Sequence, residues 1–448
     1  MTRWHLSRRS LLLGASGVAV AGAMLGRPRG AYAAGKLSVG FWDHWVPGAN
    51  DTLTRLCREW AAKEKIDLTI DYIPSQGNKL LLTIAAEAQA RSGHDILAMN
   101  TWLPGSHAER LEPVDDVMKD VLAKNGPTNP VVEYLGKPDG HWRAVPATPG
   151  SQMKGPASRI DLLKEHAGID ILAMYPPDGP ATPAAEQWTW DALLAAAEKC
   201  HKAGFPFGIG LGTTSDNVDT WGSLFHAFGA RLVDEKGNIV VKSDATRAAL
   251  EFAKKLAAFL PADAIAWDDG SNNRWLISGK GALIFNPPSA WAVAKRDAPQ
   301  VAEKVWHHPA PKGPKGRFGP YLPYYWAIWS FSPNKSAAKS LLAHLSTREA
   351  AEQLVAASQG YDIPGYLSFN DFKTWNEEGP PRGTLRHYPP TKDQILSIAA
   401  APAPHKIAEQ IYNQATITKM IARIVQGGDS IDKAIAWAES ELEGFMRG

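Results

Sequence analysis

KLSVGFW (residues 36–42), DLTIDYI (67–73) and DILAM (95–99) are three short strand-like stretches, and what separates them decides the fold. Between the first two, Asp51 to Lys65 repeats apolar residues at helical spacing: Leu53, Leu56, Trp60 and Ala61. Between the second and third, Lys79 to Arg91 is a Leu/Ala-rich helix signal. The order β-α-β-α-β predicts a mainly parallel sheet with helices on its faces. Ligands of such sheets sit on loops after the carboxyl ends of the strands. Those loops read Trp42-Asp43-His44-Trp45, Pro74-Ser75-Gln76-Gly77-Asn78 and Asn100-Thr101-Trp102, each with Trp or amide side chains.

Upstream of this unit, residues 1–33 read as an export signal. Arg3, Arg8 and Arg9 precede an uncharged run from Leu11 to Gly26, and Ala31-Tyr32-Ala33 supplies small residues for cleavage after Ala33. The run is shorter than the roughly 20 residues a membrane-spanning helix needs. Ser7-Arg8-Arg9-Ser10-Leu11-Leu12 resembles the twin-arginine export motif; an ordinary unfolded-chain signal is the other reading. The signal also carries the apparent basicity. The whole chain has 48 Lys+Arg against 46 Asp+Glu, but removal of residues 1–33 leaves 43 against 46, a formal charge of −3. The charge therefore speaks for translocation to the periplasm and not for an acidic partner.

Downstream, Val145-Pro146-Ala147-Thr148-Pro149-Gly150 breaks the pattern, as a Pro/Gly-marked extended stretch does. Helices are expected at 159–167, 189–203, 220–228, 244–260, 335–345, 408–425 and 431–445. With 448 residues, 44% hydrophobic and 21% charged, the chain supports a buried core in two or three domains. Cys57 and Cys200, 143 positions apart, are expected as two buried thiols, with a disulfide between them the other reading. The sequence carries no CxxC, HExxH, Walker-type or GxSxG signature and no Lys/Arg run. Zinc, nucleotide and serine-hydrolase chemistry and nucleic-acid binding thus lose their strong signals, and no cofactor or metal is expected.

Five stretches in order resemble the extracellular solute-binding proteins of ABC importers, in the sugar-binding group that includes maltose-binding protein. They are FWDHW (41–45), HDILAMNTW (94–102), WTWDALLAAAEK (188–199), SGKGALIFNPPSAW (278–291) and SPNKSAAKSLLAHLS (332–346). His94 stands where that family often has Pro, and Asn-Pro-Pro-Ser replaces a commoner Gly-containing loop. The resemblance implies an α/β periplasmic-binding-protein fold of two lobes, a three-segment hinge and a ligand cleft between the lobes. The crossings are expected near 146–150, 304–309 and 357–364. Lobe one would comprise 36–147 and 309–358, and lobe two 151–305 and 362–448. The implied role is a monomeric, non-enzymatic periplasmic protein that captures a carbohydrate, an oligosaccharide or glycoside, and delivers it to a membrane ABC permease.

A sugar presents hydroxyl edges and apolar C–H faces, so its site needs flat aromatic platforms beside planar hydrogen-bonding groups. Following the resemblance, the expected ligand contacts are Trp42, Asp43, Trp45, Gln76, Asn78 and Trp102 from the first three loops. Across the cleft they are Gln152, Asp216 and Trp221, then Asn286 and Trp291, with Tyr324 and Trp326 from the aromatic stretch 321–331. Trp267-Asp268-Asp269 with Asn272 and Asn273 is a further candidate group, of which Asp268 is taken as the contact. Trp60, Trp188, Trp190, Trp329 and Trp437, on helices or within strands, are expected to pack in the core. Two other readings compete: a binder of a cationic solute such as a polyamine, and a secreted glycoside-active enzyme using Asp216, Asp268 or Asp269, which would require a carboxylate pair about 5 to 10 Å apart.

Overall fold

The computed structural model describes residues 35–447; the stretch expected to be an export signal, with its expected cleavage after Ala33, lies outside them. The strands are β1 (Lys36–Trp42), β2 (Asp67–Ile73), β3 (Ile96–Asn100), β4 (Val145–Met153), β5 (Pro156–Arg159), β6 (Leu283–Phe285), β7 (Val305–His307), β8 (Lys312–Gly313), β9 (Gly316–Ile328) and β10 (Ile395–Ser397). β1 pairs in parallel with both β2 and β3, so the opening β-α-β-α-β unit forms as expected. The central strands β1 and β3 are buried almost throughout, whereas β2, at the edge, buries Leu68 fully and leaves alternate residues to solvent. Helix Ala49–Glu64 turns Leu53, Leu56, Cys57, Trp60 and Ala61 inward, the face its apolar spacing predicts.

The motifs around Asp95 and Ser332 turn out to be one knot. The Asp95 carboxylate accepts from Ser38 N at 2.8 Å, from the Ser332 hydroxyl at 2.6 Å and from Asn334 Nδ2 at 3.1 Å. Asp95 is buried, and a buried carboxylate is tolerable only when its oxygens are met in this way. The knot fastens β1, β3 and the start of helix Lys335–Leu345 together.

The sheet is less parallel than the sequence suggests. β9 runs antiparallel to β3, and β4 runs antiparallel to β9 with its register broken between Ala147 and Gln152. The second sheet is wholly antiparallel, with β5 between β6 and β7. Helix boundaries also shift. The helix expected at 220–228 spans Ser215–Phe228, and that expected at 408–425 divides into His405–Asn413 and Thr416–Val425 around Ala415, which has φ 53°.

Backbone contacts near the expected crossings tie distant segments together. The β8–β9 hairpin stays beside the second sheet's helices: Thr189 bridges Lys312, and Lys315 N donates to Ala227 O at 2.9 Å. Residues 312 and 315 thus contact segments near 189 and 227. Residues 365–368, expected in the second lobe, pack on the first, through Asn129 N to Gly365 O at 2.8 Å and Leu367 N to Pro127 O at 3.0 Å.

Both cysteines are free and buried. Trp60, Trp188, Trp190 and Trp329 are core residues, while Trp437 is half-buried with the Arg423 guanidinium over its ring. Among the described residues no helix is long and apolar enough to cross a membrane.

Candidate functional site

β3 meets β9 at its carboxyl end, where Asn100 pairs with Tyr324, with the ends of β1 and then β2 next in the sheet. Trp42, the last residue of β1, lies against Tyr324 with ring centroids 5.2 Å apart, and against Tyr361 at 6.2 Å in a stacked arrangement. Gly150 permits this approach. Its φ is +91°, and a Cβ there would sit 2.7 Å from the Tyr324 ring and 3.1 Å from Trp42, so only glycine fits. Gly150 N also donates to Asp362 Oδ1 at 2.8 Å, and His44 Nε2 lies 3.1 Å from the same oxygen. Ile363 N donates to Ser151 O at 2.8 Å. Two chain passages are thus pinned to each other directly behind the aromatic wall.

Facing this wall is a surface of amides and carboxylates. Asn286 Nδ2 lies 2.7 Å from Asn273 Oδ1, 2.8 Å from Pro287 O and 3.0 Å from Ser289 Oγ, so its two hydrogens are shared among three acceptors. Asn272 Nδ2 reaches Asn286 Oδ1 at 3.2 Å and Asp216 Oδ2 at 3.4 Å. Behind Asp216 lies Lys154, with no exposed surface; its Nζ is 2.9 Å from Asp216 Oδ1 and 2.7 Å from Asp219 Oδ2. Desolvation opposes the Lys154 charge, but the two carboxylates outweigh it and hold its pKa above the ordinary lysine value. Asp219 also accepts from Tyr412 OH at 3.3 Å, yet burial pushes its pKa up to about 6. Burial, reinforced by the Asp216 charge, pushes Asp269 up to about 6 as well.

Between the two walls is a cavity of about 50 Å³, bounded on the aromatic side by Trp42, Trp45, Tyr324 and Tyr361, with Ser75, Asn100 and Leu322. Ser215, Asp216, Asp269, Asn273, Asn286, Pro287 and Ser289 close the other side, and Gln152, paired with Leu322 and bonded to Tyr361, stands on the aromatic side. An adjoining space of about 230 Å³ shares Ser75, Asn100, Ser215, Asp269 and Tyr324 and reaches Asn78 and Tyr412. Together they approach the lower end of ordinary small-ligand sites, about 300 Å³. Three buried polar atoms here lack a hydrogen-bond partner: Trp42 Nε1, Thr214 Oγ1 and Asp269 Oδ1. A larger groove of about 680 Å³ lies elsewhere, among Tyr134, Phe318, Leu396 and Ile398. Its mainly apolar walls lack the convergent amides and carboxylates that hydroxyl recognition requires.

Of the residues singled out from sequence, Trp42, Trp45, Gln152, Asp216, Asn286 and Tyr324 line the smaller cavity and Asn78 the adjoining one. Gln152 accepts from the Tyr361 hydroxyl. The others do not reach either space. Asp43 is exposed and accepts from Asn50 Nδ2 at 2.7 Å, and Gln76 is exposed. Trp102 is buried against Tyr134 and His405. Trp221 is buried with Nε1 donating to Gly210 O at 2.8 Å, and Trp291 with Nε1 donating to Pro380 O at 2.8 Å. Trp326 packs under Phe41, with centroids 6.0 Å apart. Asp268 points outward to Arg274 Nη2 at 2.8 Å, and its neighbour Asp269 turns inward instead. Sequence reasoning passed over Lys154 and Tyr361. A lone Lys in the stretch SQMKGPAS, immediately after a chain passage, was the available signal for the first.

Residues 47–352 match the family described as bacterial extracellular solute-binding protein. Among curated proteins no sequence matches the chain. Several solved structures share its fold. Maltose-bound T. maritima MalE3 is 20% identical, covering 91% of this chain and 99% of its own, with a TM-score of 0.72. An ABC transporter solute-binding protein from Thermotoga lettingae TMO, bound with alpha-D-tagatose, is 18% identical over 92% and 99%, at 0.72. The GacH receptor of Streptomyces glaucescens GLA.O, solved unliganded and with acarbose, is 19% identical over 92% and 99%, at 0.69.

Proposed function

The chain belongs to the bacterial extracellular solute-binding proteins, and from that premise we propose that its cleft captures a carbohydrate for delivery to a membrane ABC permease. The observation that carries the reading is the opposition of two walls. Trp42, Trp45, Tyr324 and Tyr361 offer flat apolar faces, while Asn273, Asn286 and Asp216 offer planar hydrogen-bonding edges. That pairing matches the two chemistries of a sugar ring. Relatives of the same fold bound to maltose, tagatose or acarbose support the ligand class.

The protein acts in the periplasm as a monomer, after export by the twin-arginine route and cleavage behind Ala33. Its two lobes meet across the cleft, and the passages near Gly150, within β9 and beyond residue 368 form the hinge. A bound sugar favours the closed form by the contacts it makes only there. The role is one of binding and delivery, in keeping with the solute-binding family. Titration of the mature protein with a panel of mono- and oligosaccharides, followed by Trp fluorescence, tests the proposal. A saturable response to a sugar supports it; silence to every sugar with a clear response to an amino acid or a metal overturns the ligand class.

A further inference from the structure

The charge of the cleft does not balance. Asp216, Asp219 and Asp269 gather around a single ammonium, Lys154, which lies between the first two. Among the described residues, no Lys, Arg or His lines either the cavity or the adjoining space. Asp269 borders both; the Thr214 hydroxyl and the Asp216 N–H favour its charged form, though neither is a cation, and its Oδ1 is buried without a well-aligned hydrogen bond. A neutral sugar would supply hydroxyl donors but leave this carboxylate to share, at a distance, the one ammonium already in contact with Asp216 and Asp219, which is costly in a desolvated site. Trp42, only 4% exposed, lines the same cavity with an indole N–H that has no acceptor. The site therefore asks for one strong donor at Asp269 and one acceptor at Trp42, with aromatic faces between them that also favour a cation.

We propose that the ligand is a cationic carbohydrate, an amino sugar whose ammonium rests on Asp269 while its ring lies on the Trp42–Tyr324 wall and a hydroxyl oxygen accepts from Trp42 Nε1. This rests on the carbohydrate reading above and narrows it. The ammonium neutralises the unmatched carboxylate, and the remaining hydroxyls fall to Asn286, Asn273 and Gln152.

Calorimetric titration of the mature chain with matched pairs tests it: glucose, galactose, mannose and cellobiose against their amino counterparts, with the N-acetylated forms and spermidine alongside. At neutral pH at least one amino sugar binds at least about tenfold more tightly than its neutral and N-acetylated partners, the scale of one charge-assisted hydrogen bond. Asp269→Asn abolishes that preference by weakening the amino sugar about ten- to a hundredfold, and Asp269→Glu retains part of it. The wild-type comparison needs no variant, so misfolding of a variant cannot mask the result. A neutral sugar bound as tightly as its amino partner, or no binding of any amino sugar, overturns the inference; in the first case the carbohydrate reading stands. Spermidine bound while every sugar is ignored overturns both.

Discussion

Replacing Lys154 by Met removes the counter-charge behind the cleft while keeping most of the side-chain volume, so the packing cost is small. What remains is two carboxylates without their ammonium, formerly 2.9 and 2.7 Å away. Asp216 is partly exposed and can turn to water; Asp219 has no exposed surface and cannot. One buried charge stripped of its partner costs about 3 to 5 kcal/mol, and that figure applies to Asp219 alone. The loss depends on pH. The folded-state pKa of Asp219, about 6, is raised above the unfolded value near 4, so the folded state binds the proton more tightly. Stability from this group is therefore full below the unfolded pKa and declines as pH rises through the folded one. Without Lys154 the folded pKa climbs further and the decline continues to higher pH. Lys154→Met should thus lose about 3 to 5 kcal/mol near pH 8 and much less near pH 5, measured by urea unfolding followed through Trp fluorescence. Adding Asp219→Asn should restore most of the loss at the higher pH. A loss below about 1 kcal/mol near pH 8, or an equal loss at both pH values, would refute the reasoning.

Other expectations follow from the same geometry. Trp45 is half-buried and lines the cavity, so Trp45→Ala should weaken sugar binding about tenfold or more by calorimetry while moving the unfolding midpoint little. Trp221→Ala should do the reverse, losing about 3 to 5 kcal/mol of stability with the Gly210 hydrogen bond and leaving affinity nearly unchanged; a selective loss of affinity would contradict its placement in the core. Burial pushes Cys57 up to about 12 and Cys200 up to about 11, so iodoacetamide should leave both untouched in the native protein and label both in urea, as mass spectrometry would show.

The first sheet was legible because its signals are local. Helical spacing in 51–65 and 79–91 and alternation in 67–73 need no distant information, and the same logic brought Trp42, Trp45 and Asn78 to the strand ends. The errors came where one residue type serves two purposes. A Trp with a polar neighbour suits a sugar platform or a core equally, and only packing separates Trp42 from Trp102, Trp291 and Trp326. Trp221 could have been sorted by helical phase. Once its helix is seen to begin at Ser215, Trp221 lies about 140° around the axis from Asp216 and points away from the cleft. Asp268 and Asp269 are adjacent and face opposite ways, a choice set by Arg274 on one side and the cleft on the other. Lys154 meets Asp216 and Asp219, and Tyr361 meets Gln152, only through pairings 62 to 209 residues apart, which no local pattern reveals. Long-range backbone bonds such as Lys315 to Ala227 likewise leave no local mark in the sequence.

A crystal structure of the mature chain grown with a sugar from the binding panel tests the central claim most directly. The account predicts a ring resting on Trp42 or Tyr324, with hydroxyls on Asn286 and Asp216 and the lobes closed around it. A sugar found instead in the apolar groove of Tyr134, Phe318 and Ile398, with the space between Trp42 and Asn286 empty, would contradict it.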